Sequence, residues 1–454
     1  MAVQLNYYIE TYGCQMNVAD TELMAGVLKR DGHRRVTDPD QADVLIVNTC
    51  AIREHAEQRV IGRIGQLNRY KRSRPELRLG VAGCVAKELG RELLDRAAHV
   101  DFVVGPDSYR QLPEILARVE HGERVVYDRF NRSEHYEDLQ PYRLEKFAAW
   151  ITIMRGCDKF CSYCIVPFTR GREKCRTLES VVEEITMSVA DGAKEVTLLG
   201  QNVNSYCDQG RDFPDLLAAV AAVPGLARVR FTTSHPWDFT QKLVDTIGGH
   251  DNIMNHVHLP VQSGSNRILD AMKREYTCET YRRQIDMLRE RIPDCALSTD
   301  IIVGFPGETE IDFEATYDLM ASTRYNSAYI FIYSPRPHTP AIALADDVVP
   351  RVVAQQRLER LNDLQRSIGA TYLLEKVGTT QPVLVQRPAR RGRGLLSGWT
   401  EHRETAVFPG SEDMVGEIIS VAIGGLSGFT LHGESVHDPR SADRYRGELN
   451  VVAG

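Results

Sequence analysis

The sequence lacks the features that mark membrane proteins, secreted proteins and proteins that coat nucleic acid. Its 454 residues contain no apolar run of about eighteen residues, and its first residues have neither the basic nor the apolar part of a signal peptide. Lys and Arg number 55 against 62 Asp and Glu, which excludes a histone-like positive surface. Ten cysteines are too few for a disulfide scaffold of this length. We therefore expect a soluble, cytoplasmic protein of about two to four domains, in which a local basic patch is still compatible with the net charge.

Three of the cysteines lie in one short loop, at Cys157, Cys161 and Cys164. The loop follows a strand-like run at 149–154 and a turn at Arg155-Gly156. A structural zinc site uses four ligands, usually two cysteine pairs, so three thiolates would make an incomplete one. An iron–sulfur cluster held by three thiolates leaves one iron open to an outside ligand, and S-adenosylmethionine works with such clusters in radical chemistry. The loop resembles the radical-SAM signature, in which S-adenosylmethionine chelates the open iron.

Three more cysteines follow strand-like runs in the first 120 residues, where β-branched runs alternate with helical segments. The runs at 7–12, 43–47 and 79–82 lead to Cys14, Cys50 and Cys84. This alternation predicts an open parallel sheet covered by helices. Because the carboxyl ends of parallel strands share one edge, the three thiols are expected to meet and to hold a second cluster, although each alone could be an inert core residue. We also predict a helix from Asp20, as its N-cap, to near Gly32, and a fourth strand at 101–104.

The alternation of strand-like and helical segments in the middle of the chain predicts an incomplete (β/α)6 barrel. Strand candidates alternate with helical segments such as 178–190, 280–291 and 312–322. The strand candidates are 150–154, 195–199, 229–233, 256–259, 297–303 and 328–333. Such barrels place their chemistry on the loops at the carboxyl ends of the strands, and polar motifs do follow these runs.

The last part of the chain predicts a long helix and a small all-β module. The helix starts at Pro350, ends near Gly378 and is expected to lead the chain away from the barrel. Short strands at 382–385 and 417–421 indicate a β-barrel, and a polar tail is expected after about residue 437. A basic cluster within this module favours RNA as a partner, and so does the charged run at 170–174; a solvated loop is the alternative for each. The basic residues concerned are Arg170, Arg172, Arg387, Arg390, Arg391 and Arg393.

The sequence motifs around the cysteines resemble those of the radical-SAM methylthiotransferase family. They are Tyr12-Gly13-Cys14-Gln15-Met16-Asn17, Asn48-Thr49-Cys50 and Ala82-Gly83-Cys84, followed by the loop at 157–164. The resemblance covers nearly the whole chain. It implies an N-terminal methylthiotransferase domain at 4–121, a radical-SAM core at 143–373 and a TRAM-like RNA-binding domain at 376–437. The overall class is α/β, with a small all-β barrel at the end.

The resemblance also implies the cofactors and their ligands. Cys14, Cys50 and Cys84 would bind an auxiliary four-iron cluster, and Cys157, Cys161 and Cys164 would bind the radical-SAM cluster. Residues expected to line the S-adenosylmethionine site are Tyr163, Gln201, Asn202, Ser234, Gln262, Gly304 and Glu308. No catalytic side chain is assigned, because the chemistry is expected on the clusters. We interpret His235, His256 and His258 as structural, and Cys175, Cys207, Cys278 and Cys295 as bystanders.

The activity implied by the resemblance is methylthiolation of C2 of N6-dimethylallyladenosine at position 37 of tRNA. One S-adenosylmethionine would donate the methyl group and a second would supply the radical. The expected partners are tRNA, a flavodoxin- or ferredoxin-like electron donor and a donor of sulfur or clusters, and the chain is expected to be a monomer. Two alternatives remain open: the same chemistry on threonylcarbamoyl-adenosine or on a ribosomal-protein aspartate, or a non-catalytic iron–sulfur RNA-binding protein.

Iron content tests the two sets of three cysteines. Anaerobically reconstituted protein should hold about eight iron atoms per chain, as two four-iron clusters. Replacing Cys157, Cys161 and Cys164 together with Ala should remove half of this iron. A colorimetric iron assay that finds all of the iron still bound in that variant would contradict the assignment of these three thiols as ligands.

Overall fold

The N-terminal part of the chain is a parallel sheet with helices on both faces. The computed structural model describes residues 4–50 and 54–436. The elements of this part are β1 (Asn6–Thr11), α1 (Gln15–Arg30), β2 (Arg34–Arg35), β3 (Val44–Thr49), α2 (Glu54–Ser73), β4 (Arg78–Gly83), α3 (Cys84–Leu89), α4 (Arg91–Arg96), β5 (Phe102–Val104), α5 (Leu112–Glu120) and β6 (Val125–Tyr127). The strands pair in the order β2-β1-β3-β4-β5-β6, all parallel. The predicted open parallel sheet is confirmed.

The apolar run of β3 explains why this strand lies in the middle of the sheet. Val44 and Ile46 pack into the core on one face, while Leu45 and Val47 pack into the core on the other face. A strand that is covered by helices on both faces needs such an unbroken apolar run, whereas a half-exposed strand would alternate.

Helix α1 begins earlier than predicted. Cys14 occupies its N-cap, and the Asn17 Oδ1 accepts a hydrogen bond from the Cys14 backbone N–H at 3.4 Å. The prediction of Asp20 as N-cap is therefore wrong: Asp20 lies inside the helix and is fully buried. Asp is a common capping residue, but here its carboxylate is used for contacts to another domain.

The middle of the chain forms an open barrel of six parallel strands. Its elements are β7 (Ala148–Thr152), β8 (Met154–Arg155), α6 (Val166–Arg170), β9 (Lys174–Cys175), α7 (Leu178–Ala190), β10 (Glu195–Leu199), β11 (Cys207–Asp208), β12 (Arg211–Asp212), α8 (Phe213–Ala221), β13 (Arg228–Phe231), α9 (Gln241–Gly248), β14 (His256–His258), α10 (Asn266–Ala271), α11 (Cys278–Arg291), β15 (Ala296–Val303), α12 (Glu310–Thr323), β16 (Ser327–Ile332) and α13 (Arg351–Glu375). The strand orders are β7-β10-β13 and β14-β15-β16, and a bridge between Val229 and Ile253 joins the two halves. The incomplete (β/α)6 barrel is confirmed.

The two edges of the open barrel are covered by other parts of the chain. Helix α1 of the N-terminal domain lies against β7, and α13 lies against β16. The expectation that the long helix leads away from the barrel is therefore wrong, because Leu361 of α13 is buried in the barrel core. An edge strand with unpaired backbone groups is a liability, and both edges are protected here by a helix.

The C-terminal module is a closed five-stranded barrel. Its strands are β17 (Thr380–Pro388), β18 (Leu395–Trp399), β19 (Thr405–Pro409), β20 (Ile418–Ser427) and β21 (Thr430–Ser435), in the order β17-β18-β19-β21-β20. Its docking onto the open barrel uses two buried arginines of β13. Arg228 donates to the carbonyls of Trp399 and Pro382 at 3.1 and 2.8 Å, and Arg230 donates to the carbonyls of Glu401 and Thr400 at 2.8 and 2.9 Å. The small all-β barrel is confirmed; the predicted polar tail lies outside the described residues.

None of the helices in the described ranges has the length and the hydropathy needed to cross a membrane.

A buried ion network joins the N-terminal domain to the open barrel. Asp20 is fully buried and contacts Arg155 at 2.9 Å and Arg170 at 2.8 Å, while the hydroxyl of Tyr109 donates to it at 3.3 Å. Burial alone would raise the pKa of Asp20, but Arg170 and Arg155 outweigh burial and hold that pKa below its ordinary value. The network therefore favours folding at every pH above the ordinary pKa of an Asp, about 4, and its contribution is lost as the pH falls below that.

Replacing Asp20 with Ala should destabilise the protein strongly, because two guanidinium groups would stay buried without their anion. We expect the free energy of unfolding to fall by about 3–5 kcal/mol, as measured by urea denaturation at neutral pH. The matched control is Asp95→Ala, which removes an exposed carboxylate that contacts Arg91 at 3.5 Å within α4. The control should not change the unfolding curve measurably. Equal effects of the two substitutions would contradict the role of the network.

Candidate functional site

The three N-terminal cysteines lie side by side at the carboxyl edge of the sheet. Cys14, Cys50 and Cys84 directly or closely follow β1, β3 and β4. The register pairs Thr11 with Asn48 and Thr49 with Gly83, so the ends of these strands are level. Cys50 and Cys84 are buried, and Cys14 is half-buried. The structure thus brings together three thiols that are far apart in the sequence.

Side-chain amides hold this edge of the sheet. Asn17 donates to the carbonyl of Thr49 at 2.9 Å, and Asn48 donates to the carbonyl of Asn17 at 2.7 Å. Gly83 has a φ of +91°, and a Cβ at this position would lie 2.4 Å from the carbonyl oxygen of Thr49. The backbone at Gly83 therefore lies too close to Thr49 for any residue with a Cβ, and this close contact fixes the position of Cys84, the next residue.

The electrostatics of this site suit an anionic group. A hydrogen bond with Cys50 is the main reason that the pKa of Cys14 falls to about 6, against the opposing effect of burial. Burial raises the pKa of Cys84, while the nearby guanidinium of Arg170 lowers it in part. The Nη1 atom of Arg170 is buried and has no hydrogen-bond partner in the described part of the chain. A cluster with three thiolates is anionic, so the donor set and the unpartnered donor both fit an iron–sulfur cluster.

The second set of thiols lies in the loop after β8. The backbone N–H of Cys157 donates to the carbonyl of Gly171 at 3.1 Å, and that of Cys164 donates to the carbonyl of Cys161 at 3.0 Å. Ser162 ties the loop to the end of α10, since its Oγ donates to the carbonyl of Ala271 at 2.8 Å. Burial raises the pKa of Cys157 and of Cys164 to about 12, so an iron that binds them must displace their protons.

Neither set of cysteines is shaped for a single ion. Among the side chains that the structure describes, no three of the types His, Cys, Asp or Glu are arranged to hold one metal ion. A cubic four-iron cluster has a different requirement, because each thiolate binds a separate iron at its own corner of the cube. Three cysteines on three strand ends, or on one short loop, satisfy that requirement.

Three polar groups at the mouth of the barrel fit a polar ligand such as S-adenosylmethionine. The Asn202 Oδ1, the Ser234 Oγ and the His235 Nε2 are all buried and have no hydrogen-bond partner among the described residues. Burial lowers the pKa of His235 to about 2, so this imidazole is neutral. Its Nδ1 accepts from the backbone N–H of Trp237 at 3.2 Å, which leaves the proton on the unpartnered Nε2. Sequence reasoning interpreted His235 as purely structural and so missed this donor.

Two other residues predicted to line the S-adenosylmethionine site also support the loops around it. Gln201 accepts from the N–H of Gly156 at 2.5 Å and so supports the turn before Cys157. Glu308 is buried; its carboxylate accepts from the N–H of Gly304 and from Arg357, both at 2.7 Å. The Oε2 of Glu308 thus fixes the loop after β15, while its Oε1 is buried and has no hydrogen-bond partner among the described residues, so the prediction that Glu308 contacts the cofactor stays a prediction.

The remaining predicted residues lie around the same mouth. Tyr163 packs with Phe305 and Met272 in an apolar cluster beside the cysteine loop. Gln262 and Gly304 both have a positive φ, 71° and 70°. Gln262 lies in the loop after β14, and Gly304 directly follows β15. Positive φ at a non-glycine residue such as Gln262 is uncommon and is frequent at binding sites.

The residues predicted to contact RNA differ in exposure. Arg170 is buried against Asp20, so its assignment as an RNA contact is corrected: it belongs to the contact between domains. The Arg172 side chain is 63% exposed and contacts Asp158 at 2.6 Å. All four predicted arginines of the C-terminal module are exposed, and none forms an ion pair with a described residue; they are Arg387, Arg390, Arg391 and Arg393.

The two sets of thiols lie on facing surfaces of neighbouring domains. Cys84 and Val85 pack against Ile165, the residue next to Cys164. On the neighbouring flank, Met16 and Ala19 of α1 pack against Leu199 at the end of β10. The segments that carry the two sets of thiols are therefore in direct apolar contact, and the ion pairs of Asp20 join the same two parts of the chain.

Comparison with known families and structures agrees with this arrangement. Residues 6–105 match a family described as uncharacterized protein family UPF0004, and residues 151–320 match the Radical SAM superfamily. The solved structures that are similar include the radical S-adenosylmethionine methyltransferase TsrM from Kitasatospora setae, with a TM-score of 0.56 and 15% identity over 87% of this chain and 77% of that chain. Another is the cobalamin-dependent radical enzyme OxsB, with a TM-score of 0.55 and 10% identity over 79% and 56%. These similarities concern the fold alone.

Relatives of known name match along nearly the whole chain. The tRNA-2-methylthio-N(6)-dimethylallyladenosine synthase of Porphyromonas gingivalis is 44% identical over 96% of both chains. The synthase of the same name from Carboxydothermus hydrogenoformans is 44% identical over 95% of this chain and 99% of its own, and that from Chloroherpeton thalassium is 41% identical over 94% and 96%. The chain belongs to the family of tRNA-2-methylthio-N(6)-dimethylallyladenosine synthases.

Proposed function

We propose that this protein installs a methylthio group on C2 of N6-dimethylallyladenosine at position 37 of tRNA. The observation that carries the proposal is the placement of two separate thiol triads on facing domain surfaces, joined through Cys84, Ile165 and Cys164. A single cluster would suffice for electron transfer or for radical generation. A second cluster next to it supplies a place for the sulfur that is to be transferred.

The cluster at the 157–164 loop, when bound, supplies the electron that splits S-adenosylmethionine and so generates a radical able to take hydrogen from C2 of an adenine. The residues of the chain prepare that step. Asn202, Ser234 and His235 offer buried polar atoms to the cofactor, and Ser162 holds the cysteine loop against α10. Cys84 and Ile165 pack against each other in a buried apolar cluster, which keeps water out between the two cysteine-bearing segments.

Recognition of tRNA is assigned to exposed cations and rings in two places, the C-terminal module and the region of the cysteine loop. Arg387, Arg390, Arg391 and Arg393 project from the C-terminal module, and Arg172 lies beside the cysteine loop. Phe160 and Trp237, which are 41% and 56% exposed, offer rings on which unpaired bases can stack. Arginines that contact phosphates would give binding a strong salt dependence.

The finer features of the system follow from this proposal. A flavodoxin- or ferredoxin-like protein is proposed as the electron donor, and a separate donor restores the sulfur or the cluster after each turnover. We further propose that the chain works as a monomer in the cytoplasm, since both clusters and the RNA-binding module lie in one chain.

Nucleoside mass spectrometry of tRNA tests the substrate. In cells that lack this protein, 2-methylthio-N6-dimethylallyladenosine should disappear and the unthiolated prenyl nucleoside should accumulate. A plasmid copy of the gene should restore the methylthio nucleoside. Loss of the methylthio derivative of threonylcarbamoyl-adenosine instead would assign the protein to the alternative tRNA substrate. An unchanged tRNA profile would favour the ribosomal-protein aspartate or a non-catalytic role.

The two triads should have separable roles. A variant with Cys14, Cys50 and Cys84 replaced by Ala should still convert S-adenosylmethionine to 5'-deoxyadenosine under reduction, because the 157–164 loop is intact. It should make no methylthio product, as measured by chromatography of digested tRNA. The reciprocal variant, without Cys157, Cys161 and Cys164, should lose both reactions. Normal product formation by the first variant would rule out the auxiliary site as the source of the sulfur.

A further inference from the structure

Arg274 is a buried guanidinium that reaches a ligand of the radical-SAM cluster. It follows α10, is 4% exposed, and its Nη1 donates to the Sγ of Cys161 at 3.4 Å. Its Nη2 donates to the carbonyl of Pro260 at 2.8 Å, and its Nε donates to the hydroxyl of Tyr276 at 2.9 Å. All three nitrogens are thus engaged, and the planar fork of an arginine fixes their directions.

Among the side chains that the structure describes, no carboxylate balances the charge of Arg274. Other buried arginines of the barrel have such a partner: Arg170 contacts Asp20, Arg230 contacts Glu195, and Arg357 contacts Glu308, all at 2.7–2.8 Å. The ionisable groups near Arg274 include Tyr163, Tyr276, His235, Cys161 and Cys164. A buried charge without a counter-ion is costly, so this position calls for an anion at the Cys161 thiol.

The iron–sulfur cluster would be that anion. A four-iron cluster held by three thiolates carries a net negative charge, and the electron that it accepts makes this charge larger. A fixed cation, and a hydrogen bond to a ligand sulfur, therefore stabilise the reduced cluster more than the oxidised one. Both effects are known to set the potentials of iron–sulfur clusters, and both are strong where water is excluded.

We propose that Arg274 is a positioning residue that raises the reduction potential of the cluster at Cys157, Cys161 and Cys164. It acts through the Cys161 sulfur and does not contact the tRNA. The Tyr276 hydroxyl orients the fork, because it accepts from Arg274 and donates to the carbonyl of Val261 at 2.8 Å. This inference rests on the radical-SAM assignment of the proposed function.

A redox titration followed by electron paramagnetic resonance measures the effect directly. The parent is the full chain with Cys14, Cys50 and Cys84 replaced by Ala, so that one cluster gives the signal. In this parent, Arg274→Met keeps the volume and removes the charge and the hydrogen bonds. At a fixed solution potential near the parental midpoint we expect the ratio of reduced to oxidised cluster to fall roughly tenfold, which is a downward shift of about 59 mV for one electron.

Three further variants separate charge, geometry and background effects. Arg274→Lys keeps the charge but loses the fork, and should shift the midpoint by less than Arg274→Met. Tyr276→Phe keeps the arginine and loosens it, and should lower the midpoint slightly. The matched control, Arg282→Met, removes an exposed arginine of the neighbouring helix α11 and should leave the midpoint unchanged.

The outcomes decide between this inference and its rivals. An Arg274→Met variant that binds its iron and titrates at the parental midpoint overturns the role of Arg274. A parental midpoint with weakened binding of S-adenosylmethionine also overturns it, because Arg274 would then serve the carboxylate of the cofactor. If Arg274→Met binds no iron, the titrations of Arg274→Lys and Tyr276→Phe decide, and unchanged midpoints in both overturn the inference. A parent that binds no cluster overturns the radical-SAM assignment itself.

Discussion

One buried carboxylate, that of Asp20, sets the relation between the two halves of the candidate site. It lies in α1, the helix that Cys14 caps, and it contacts Arg155 and Arg170 of the other domain. Arg155 precedes the cysteine loop by two residues, and Arg170 ends the helix that follows the loop. The carboxylate thereby ties the chain on both sides of the 157–164 loop to α1, the helix that follows Cys14. Because the contact is between full charges removed from water, a small displacement of either domain would be costly.

The site lies at the carboxyl ends of parallel strands in both the N-terminal sheet and the open barrel. In each, the carboxyl ends of parallel strands carry the residues of the site, which is where ligands bind in open α/β sheets and in barrels. Helix α1 takes part in both, since Cys14 caps it and Met16 and Ala19 pack against Leu199 of the barrel. The open barrel needs a cover at β7, and the N-terminal domain supplies that cover together with its three thiols.

The features that could be predicted from the sequence are those written in local patterns. The apolar run of β3 occupies a few consecutive residues and gave the correct strand. The spacing of Cys157, Cys161 and Cys164 is equally local, and the radical-SAM signature that it resembles agrees with the family match of residues 151–320. The errors concern partners that are distant in the chain. Asp20 was interpreted as a helix cap and Arg170 as an RNA contact, because the two residues of this ion pair are 150 positions apart in the sequence. Arg274 carried no signal at all, because nothing in its neighbours indicates that Cys161 lies 3.4 Å away.

The way in which the C-terminal barrel docks affects which amino-acid substitutions this protein can tolerate. Arg228 and Arg230 bind the module by hydrogen bonds to main-chain carbonyls, those of Pro382, Trp399, Thr400 and Glu401. A carbonyl of the backbone is present whatever side chain the residue carries. Substitutions on the exposed face of the module can therefore accumulate while the contact that attaches the module to the open barrel stays the same.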